Sequence, residues 1–199
     1  MNVLVACEFS GIVREAFRTR GHEAWSCDLL PAEGSNEYHY RSDVRLILHG
    51  NFPLQLGLKH RLPRDWDLMI AHPPCTYLAV SGARWFKDRP KEQELALKFV
   101  RTLMNADVPR IALENPIGVI STKIRKPDQI VQPWQFGHGE VKATCLWLKH
   151  LPLLKPTKVV EGRKPRVHFE SPSPDRWKNR SRTYQGIADA MAEQWGILG

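Results

Sequence analysis

The sequence predicts a doubly wound α/β domain built on a mostly parallel sheet. Three observations carry that reading. Short apolar runs recur at Val3-Leu4-Val5-Ala6-Cys7, Asp67-Leu68-Met69-Ile70-Ala71 and Ile111-Ala112-Leu113. Segments of helical spacing alternate with them, and strands separated by helices imply parallel pairing with both sheet faces covered. Two of the runs end in reactive side chains, at the edge where open α/β sheets place their ligands.

The elements follow in order. After the first strand, Ser10-Gly11 is a turn. Ile12 to Thr19 then puts Ile12, Val13, Ala16 and Phe17 on one helical face, and Gly21 stops that helix. Glu23 to Cys27 is a second strand ending at Asp28. Residues 31–42 are polar and irregular, and order resumes from Asp43 to Leu48. Asn51 to Arg64 reads as loop with some helix, and Asp67 to Ala71 is the strand that runs into His72-Pro73-Pro74-Cys75-Thr76. Glu92 to Met104 is an amphipathic helix with Leu95, Leu97, Phe99, Val100, Leu103 and Met104 as apolar positions. Arg110 to Leu113 is a strand that runs into Glu114-Asn115-Pro116, Lys142 to Leu148 alternates as another, and Ile187 to Trp195 closes the chain as a helix. Residues 152–182, rich in Pro, Lys, Arg and Ser, read as an extended, basic, loop-dominated segment.

A chain of 199 residues with 42% hydrophobic and 25% charged content suits one well-buried soluble domain. No apolar run approaches a membrane span. The start, Met1 to Cys7, lacks the basic region of a signal peptide. Cys7, Cys27, Cys75 and Cys145 are scattered without CxxC spacing, which favours reduced thiols in a cytoplasm over a disulfide framework or a zinc site. The net charge of +8 serves solubility, or a polyanionic partner held by counterion release.

Several residues carry candidate chemistry. Gly11 lets backbone approach a ligand closely, and the following helix N-terminus adds amide dipoles. Asp28, at a strand end, suits paired ribose hydroxyls, or it is a cap or loop acid. A lone cysteine is usually a small hydrophobe. Cys75, however, follows a rigid Pro-Pro turn at a strand end, where a thiol pKa can be lowered for nucleophilic attack. Glu114 occupies the equivalent edge of the next strand, capping a turn with Asn115 or acting as an acid. Together, a thiol and a carboxylic acid meet the needs of a pyrimidine ring. A thiolate adding to carbon 6 of cytosine, with protonation at ring nitrogen 3, turns the ring into an enamine whose carbon 5 can attack an electrophilic methyl group. An acid in that role must keep or share a proton near neutral pH, which desolvation and hydrogen bonding favour.

With these motifs in this order, the chain resembles the S-adenosylmethionine-dependent DNA cytosine-5 methyltransferases. Phe9-Ser10-Gly11 is similar to the family's first motif, whose phenylalanine packs on the cofactor adenine, with Ile12-Val13 standing where a second glycine is usual. Asp28, followed by Leu29, matches the ribose-binding acid. Ser42-Asp43-Val44 resembles the third motif, with Asp43 at the adenine amino group. Pro73-Pro74-Cys75 matches the nucleophile motif, with Thr76 where glutamine is common, and Glu114-Asn115-Pro116 matches Glu-Asn-Val. Phe136-Gly137 followed by Lys142-Ala143-Thr144 sits where the family has a glycine and then an Arg-x-Arg strand. Arg182 to Ala188, including Gln185, Gly186 and Ile187, resembles the last motif, which returns to the cofactor pocket.

The resemblance implies a Rossmann-like class I methyltransferase fold, S-adenosyl-L-methionine as cofactor and no metal. It implies Cys75 as nucleophile, Glu114 at nitrogen 3, Asn115 bracing that loop, and Lys142 and Thr144 near the base. Phe9, Ser10, Gly11, Asp28, Leu29, Asp43, Val44, Pro73, Gln185, Gly186 and Ile187 would hold the cofactor. In place of a separate target-recognition domain, residues 150–182 form a basic insertion within a single domain spanning 1–199. Arg163, Lys164, Arg166, Lys178 and Arg180, interleaved with His168, Phe169 and Trp177, suit phosphates and an unstacked base, with Pro74 and Thr76 beside it. Such an element makes few base-edge contacts, so short or relaxed sequence specificity is expected. The expected partner is DNA, duplex or single-stranded, with no membrane and a monomeric protein, similar to small proteins of phages and mobile elements. A free cytosine nucleotide as substrate, or a non-catalytic nucleic-acid-binding module, are the alternatives.

Overall fold

β1 (Asn2–Ala6) lies inside a seven-stranded sheet and is covered on both faces. Its side chains alternate as the pleat requires: Leu4 and Ala6 face one core, Val3 and Val5 the other. Along the chain follow α1 (Ile12–Arg18), β2 (Glu23–Asp28), β3 (His39–Arg41), α2 (Val44–Leu48), β4 (Leu68–Ala71) and α3 (Pro90–Met104). Then come β5 (Arg110–Pro116), α4 (Ile120–Lys123), β6 (Gln129–Val131), β7 (Thr144–Lys149), α5 (Arg176–Ser181) and α6 (Gln185–Trp195). This computed structural model describes residues 1–50, 63 and 65–198, so the loop expected over 51–64 falls, but for Pro63, outside the described residues.

The strand order is β3-β2-β1-β4-β5-β7-β6. β1 to β5 pair in parallel, and β7 runs antiparallel to both of its neighbours. This is the doubly wound, mostly parallel, Rossmann-like architecture that the sequence predicts. α2 and α3 cover one face, where Ile47, Leu97, Val100 and Leu103 pack with Trp25, Met69, Ile111 and Trp147. α1 and α6 cover the other, where Val13, Phe17, Met191 and Trp195 meet Val5, Ile70 and Leu146. Each such buried side chain contributes about 1.5–3 kcal/mol relative to exposure. Among the described residues no helix is long and apolar enough to cross a membrane.

The departures have physical causes. β3 was expected to be irregular because it is polar. Its His39 is nonetheless buried, with Nδ1 against Ser26 Oγ at 2.8 Å and Nε2 against Leu30 O at 2.9 Å. Mutual hydrogen bonding, not hydropathy, holds that strand. Leu95 of α3 does not join the core but stands 67% exposed. β5 runs on through Pro116, so Glu114 and Asn115 are strand residues. β7 begins at Thr144, and its first four residues are buried in succession instead of alternating, because it is an interior strand with both faces covered. The basic segment contains a 3-10 turn, Arg166–Phe169, and α5. It is also stitched to residues 134–141 by Gly137 N to Lys158 O (2.7 Å), Val160 N to Trp134 O (2.9 Å) and Lys164 N to Gly139 O (3.1 Å).

Candidate active site

The winding direction of the sheet reverses between β1 and β4, and a crevice outside the carboxyl ends of the strands at such a point is where open α/β sheets bind ligands. β4 and β5 pair with Ala71 opposite Leu113, so the residues that follow, His72 and Glu114, emerge side by side. His72 Nδ1 lies 2.5 Å from Glu114 Oε2, both side chains almost fully buried. Asn115, 2% exposed, donates from Nδ2 to Pro73 O at 2.8 Å and so ties the proline turn to β5. Beyond them the two loops are joined by Val80 N to Ile117 O (3.0 Å) and Val119 N to Leu78 O (2.9 Å). Gly118 permits this approach, since a Cβ there would sit 2.0 Å from Leu78 O. Cys75 O accepts from Leu78 N and Ala79 N, each at 2.9 Å, in a tight turn that leaves Pro74, Cys75 and Thr76 exposed.

The charges in this cluster act on one another. Burial raises the Glu114 pKa, but the His72 hydrogen bond and charge, Lys142 and the Thr144 hydroxyl outweigh it and hold the carboxyl below its ordinary range. Burial lowers His72, but Glu114 and Glu8 outweigh it and hold the imidazole above its ordinary range. The two groups thus hold a proton between them, Glu114 sharing it through His72. Cys75 departs from expectation. Although the residue is exposed at the turn, desolvation of the thiol by the surrounding protein and the Glu114 carboxylate push its pKa up, and Lys142 and Arg180 only partly offset this. Nearby, Glu8 accepts from Val13 N (2.7 Å) and Arg14 N (3.2 Å) and takes the first amides of α1. The sequence had offered those amides to a ligand.

Beside the cluster lies a cavity of about 490 Å³ walled by Asp28, Leu29, Asp43, Val44 and Pro74, with Lys98 and Phe99 from α3 opposite. Asp28 Oδ1 accepts from Leu30 N at 2.8 Å, and burial lifts its pKa. Asp43 caps α2 through Arg45 N (2.9 Å) and pairs with the Arg45 guanidinium, which holds its carboxyl below the usual range.

The remaining expected cofactor residues do not line this cavity. Phe9 is buried under Trp177, with ring centroids 6.1 Å apart. The Ser10 hydroxyl donates to Glu8 Oε1 at 3.3 Å. Gly11 adopts φ 74°, and a Cβ there would meet the Arg14 guanidinium at 2.6 Å. Pro73 is buried, its carbonyl engaged by Asn115. Gln185 bonds Asp189 within α6, Gly186 N donates to His138 Nε2 at 2.9 Å, and Ile187 is in the core.

The cations divide into two groups. Lys142 donates to Arg182 O at 3.2 Å, and its charge is felt by Glu114, His72 and Cys75. Arg180 also acts on Cys75, and Lys178 pairs with Asp175 at 3.4 Å beside Trp177. Farther along, the Arg163 guanidinium lies 3.6 Å over the Trp134 ring, Arg166 pairs with Glu140 at 2.6 Å, and Lys164 is exposed. Thr144 is buried beneath Glu114. Sequence reasoning missed two residues, His72 and Glu8. The signal for each was its place at a strand end, but their partners appear only in the fold. Among the described residues, no three of His, Cys, Asp and Glu are grouped to hold a metal ion.

Fold and site together define a Rossmann-like α/β protein with a thiol, a carboxylate–imidazole pair and an ammonium group beside an acid-edged cavity. No protein-family model matches the chain. No curated protein matches it either. Among solved structures it is similar to a presumed DNA modification methyltransferase encoded within a prophage of E. coli, at 16% identity and a TM-score of 0.47, over 80% of this chain and 52% of that one. The chain thus spans about half the length of that neighbour, and a likeness this distant assigns no activity.

Proposed function

We propose that the protein is a DNA methyltransferase that uses S-adenosyl-L-methionine to methylate carbon 5 of cytosine. One observation carries the reading. The Lys142 charge acts on both Cys75 and Glu114, the Glu114 carboxylate acts on Cys75, and the wall of the adjoining cavity includes Pro74, the residue before the thiol.

The cavity suits the proposed donor. Its size falls within the range of cofactor sites. Asp28 offers a carboxylate to ribose hydroxyls, and Leu29 and Phe99 offer apolar walls to an adenine. When bound, S-adenosylmethionine supplies the electrophilic methyl group that carbon 5 takes up.

The chain's own residues do the rest. Cys75 Sγ, as thiolate, adds to carbon 6, and the electron pair moves toward carbon 5. Glu114 delivers a proton to nitrogen 3, which neutralises the charge that develops there. The Lys142 charge favours the Cys75 thiolate. Loss of the carbon 5 proton to solvent water then returns electrons to the ring and expels the Cys75 thiolate, and the nitrogen 3 proton goes back to the Glu114 carboxylate. Because the resting thiol is held above its ordinary pKa, the thiolate forms in the loaded site, where Lys142 and Arg180 favour it. A duplex target requires the base to be turned out of the stack. The spread of Arg163, Lys164, Arg166, Lys178 and Arg180 over two groups supports a long polyanion over a free nucleotide.

The test is transfer of labelled methyl from S-adenosylmethionine to duplex DNA, single-stranded DNA and dCMP, with digested products identified by mass. Label in 5-methylcytosine from DNA is expected. C75A should abolish it while leaving donor binding by calorimetry intact. Label in dCMP alone moves the protein to nucleotide chemistry. Binding of DNA with no donor binding leaves a nucleic-acid-binding module.

A further inference from the structure

Resting on that reading, we propose that His72 is the positioning residue of Glu114, and that the two form a single acid carrying one proton. The geometry is specific. Nδ1 meets Oε2 at 2.5 Å, which orients the carboxyl, and the Thr144 hydroxyl bonds the same group. The two residues are 42 positions apart and are brought together by the β4–β5 register. Among the described residues Glu114 has His72 and the Thr144 hydroxyl as hydrogen-bond partners, with the Lys142 charge nearby.

The other ring nitrogen matters equally. His72 Nε2 is buried with no hydrogen-bond partner among the described residues. A proton held on both ring nitrogens would leave one N–H unsatisfied, and that is costly in a buried site. The charged groups facing the ring oppose one another. Glu114 from β5 and Glu8 after β1 favour the imidazolium, whereas Lys142 before β7 disfavours it. Asp28, at the end of β2, also senses its charge. The pair is therefore poised to release its proton.

The single proton has two arrangements. In one, Nε2 is protonated and Glu114 is a carboxylate. In the other, Oε1 is protonated and neutral His72 still donates Nδ1–H to Oε2. Transfer to nitrogen 3 breaks the Oε1–H bond, forms N3–H and leaves a carboxylate held by the neutral imidazole. No further reactant is needed. Above the pH at which the pair loses its proton, no acid remains for the base. The two steps belong to the pair and not to either residue.

The experiment combines a ¹⁵N-histidine NMR titration of the wild-type protein and E114Q with pH–rate profiles of the wild type and H72N. The His72 ring should titrate above the ordinary histidine range of about 6.5, and E114Q should lower it by about one unit or more. H72N, whose amide can still donate to Oε2, should keep KM for DNA within about twofold. It should lose roughly 10- to 100-fold in kcat and move the alkaline limb to lower pH. H72L, which cannot donate, should lose more than H72N. If wild-type His72 titrates at or below the ordinary value, or identically in E114Q, the pair is overturned. A lower melting temperature with an unchanged pH profile in H72N overturns the positioning role. Coupled titration in a wild type that methylates no cytosine keeps the pair and removes the methyltransferase reading instead.

Discussion

Cys75 shows how far a residue's reactivity depends on its neighbours. The Pro-Pro-Cys run at a strand end marks it in the sequence, but the sign of its pKa shift comes from desolvation and from Glu114. The sign has a direct consequence. A thiol held up is neutral at neutral pH, so alkylation of Cys75 by iodoacetamide should be slow there and rise only above the ordinary thiol value of about 8.5. E114Q should move the curve to lower pH and K142A to higher pH. A rate that already levels off near about pH 7 in the wild type contradicts the assignment. Asn115 makes a second residue-scale prediction. Removing its amide leaves the buried Pro73 carbonyl without its donor, so N115A should cost about 1–3 kcal/mol in denaturant unfolding. An unchanged midpoint would mean that the brace contributes nothing. Cys75, Glu114 and Asn115 were legible because each sits in a distinctive run at a strand end. His72 stands in the same run, but its partner lies 42 residues away, beyond the reach of local pattern.

Among the elements, the turns after β4 and β5 behave as one unit, pinned by the pairing of Ala79 with Gly118. An added methyl at Gly118 would meet backbone, not a flexible side chain. G118A should therefore destabilise the fold by about 2 kcal/mol or more and loosen the Cys75 turn, read as a lower melting temperature together with faster proteolysis after residue 75. A variant of wild-type stability would mean that the two turns move independently. α1, α3, α6 and the strands β1, β2, β4 and β5 were readable from hydropathy, because each has a face or two to bury. β3 was not, because its buried His39 is satisfied by Ser26 and Leu30. α5 was hidden in a segment rich in Pro and charge. It is held in place by Trp177 on Phe9 and by the Arg182–Glu33 ion pair.

At the scale of the whole molecule, the net charge of +8 is carried in part by a strap of residues 158–182 that runs from the Trp134 turn to the mouth of the cleft. If that strap grips phosphates, DNA affinity should fall steeply with salt, by about 0.9 log units per log unit of salt for each phosphate contact. R180A and K164A should each flatten that slope by about 1 and weaken binding evenly across DNA sequences. A slope unchanged in both variants would place the nucleic acid elsewhere.

The alternation of β1, β2, β4 and β5 with α1 and α3, the two covered faces and the thiol and carboxyl that follow β4 and lie in β5 were determined by the sequence alone. Side-chain periodicity and proline-rich turns report on the chain's nearest neighbours, and those features are local. The tertiary structure alone decided that His72 meets Glu114, that Glu8 takes the first amides of α1, and that residues 185–187 pack against the Phe136 turn instead of the cavity. It also decided the direction of each pKa shift. Such facts depend on strand register and on distances between segments far apart in the chain, and the electrostatic balance in a buried cluster follows from those distances.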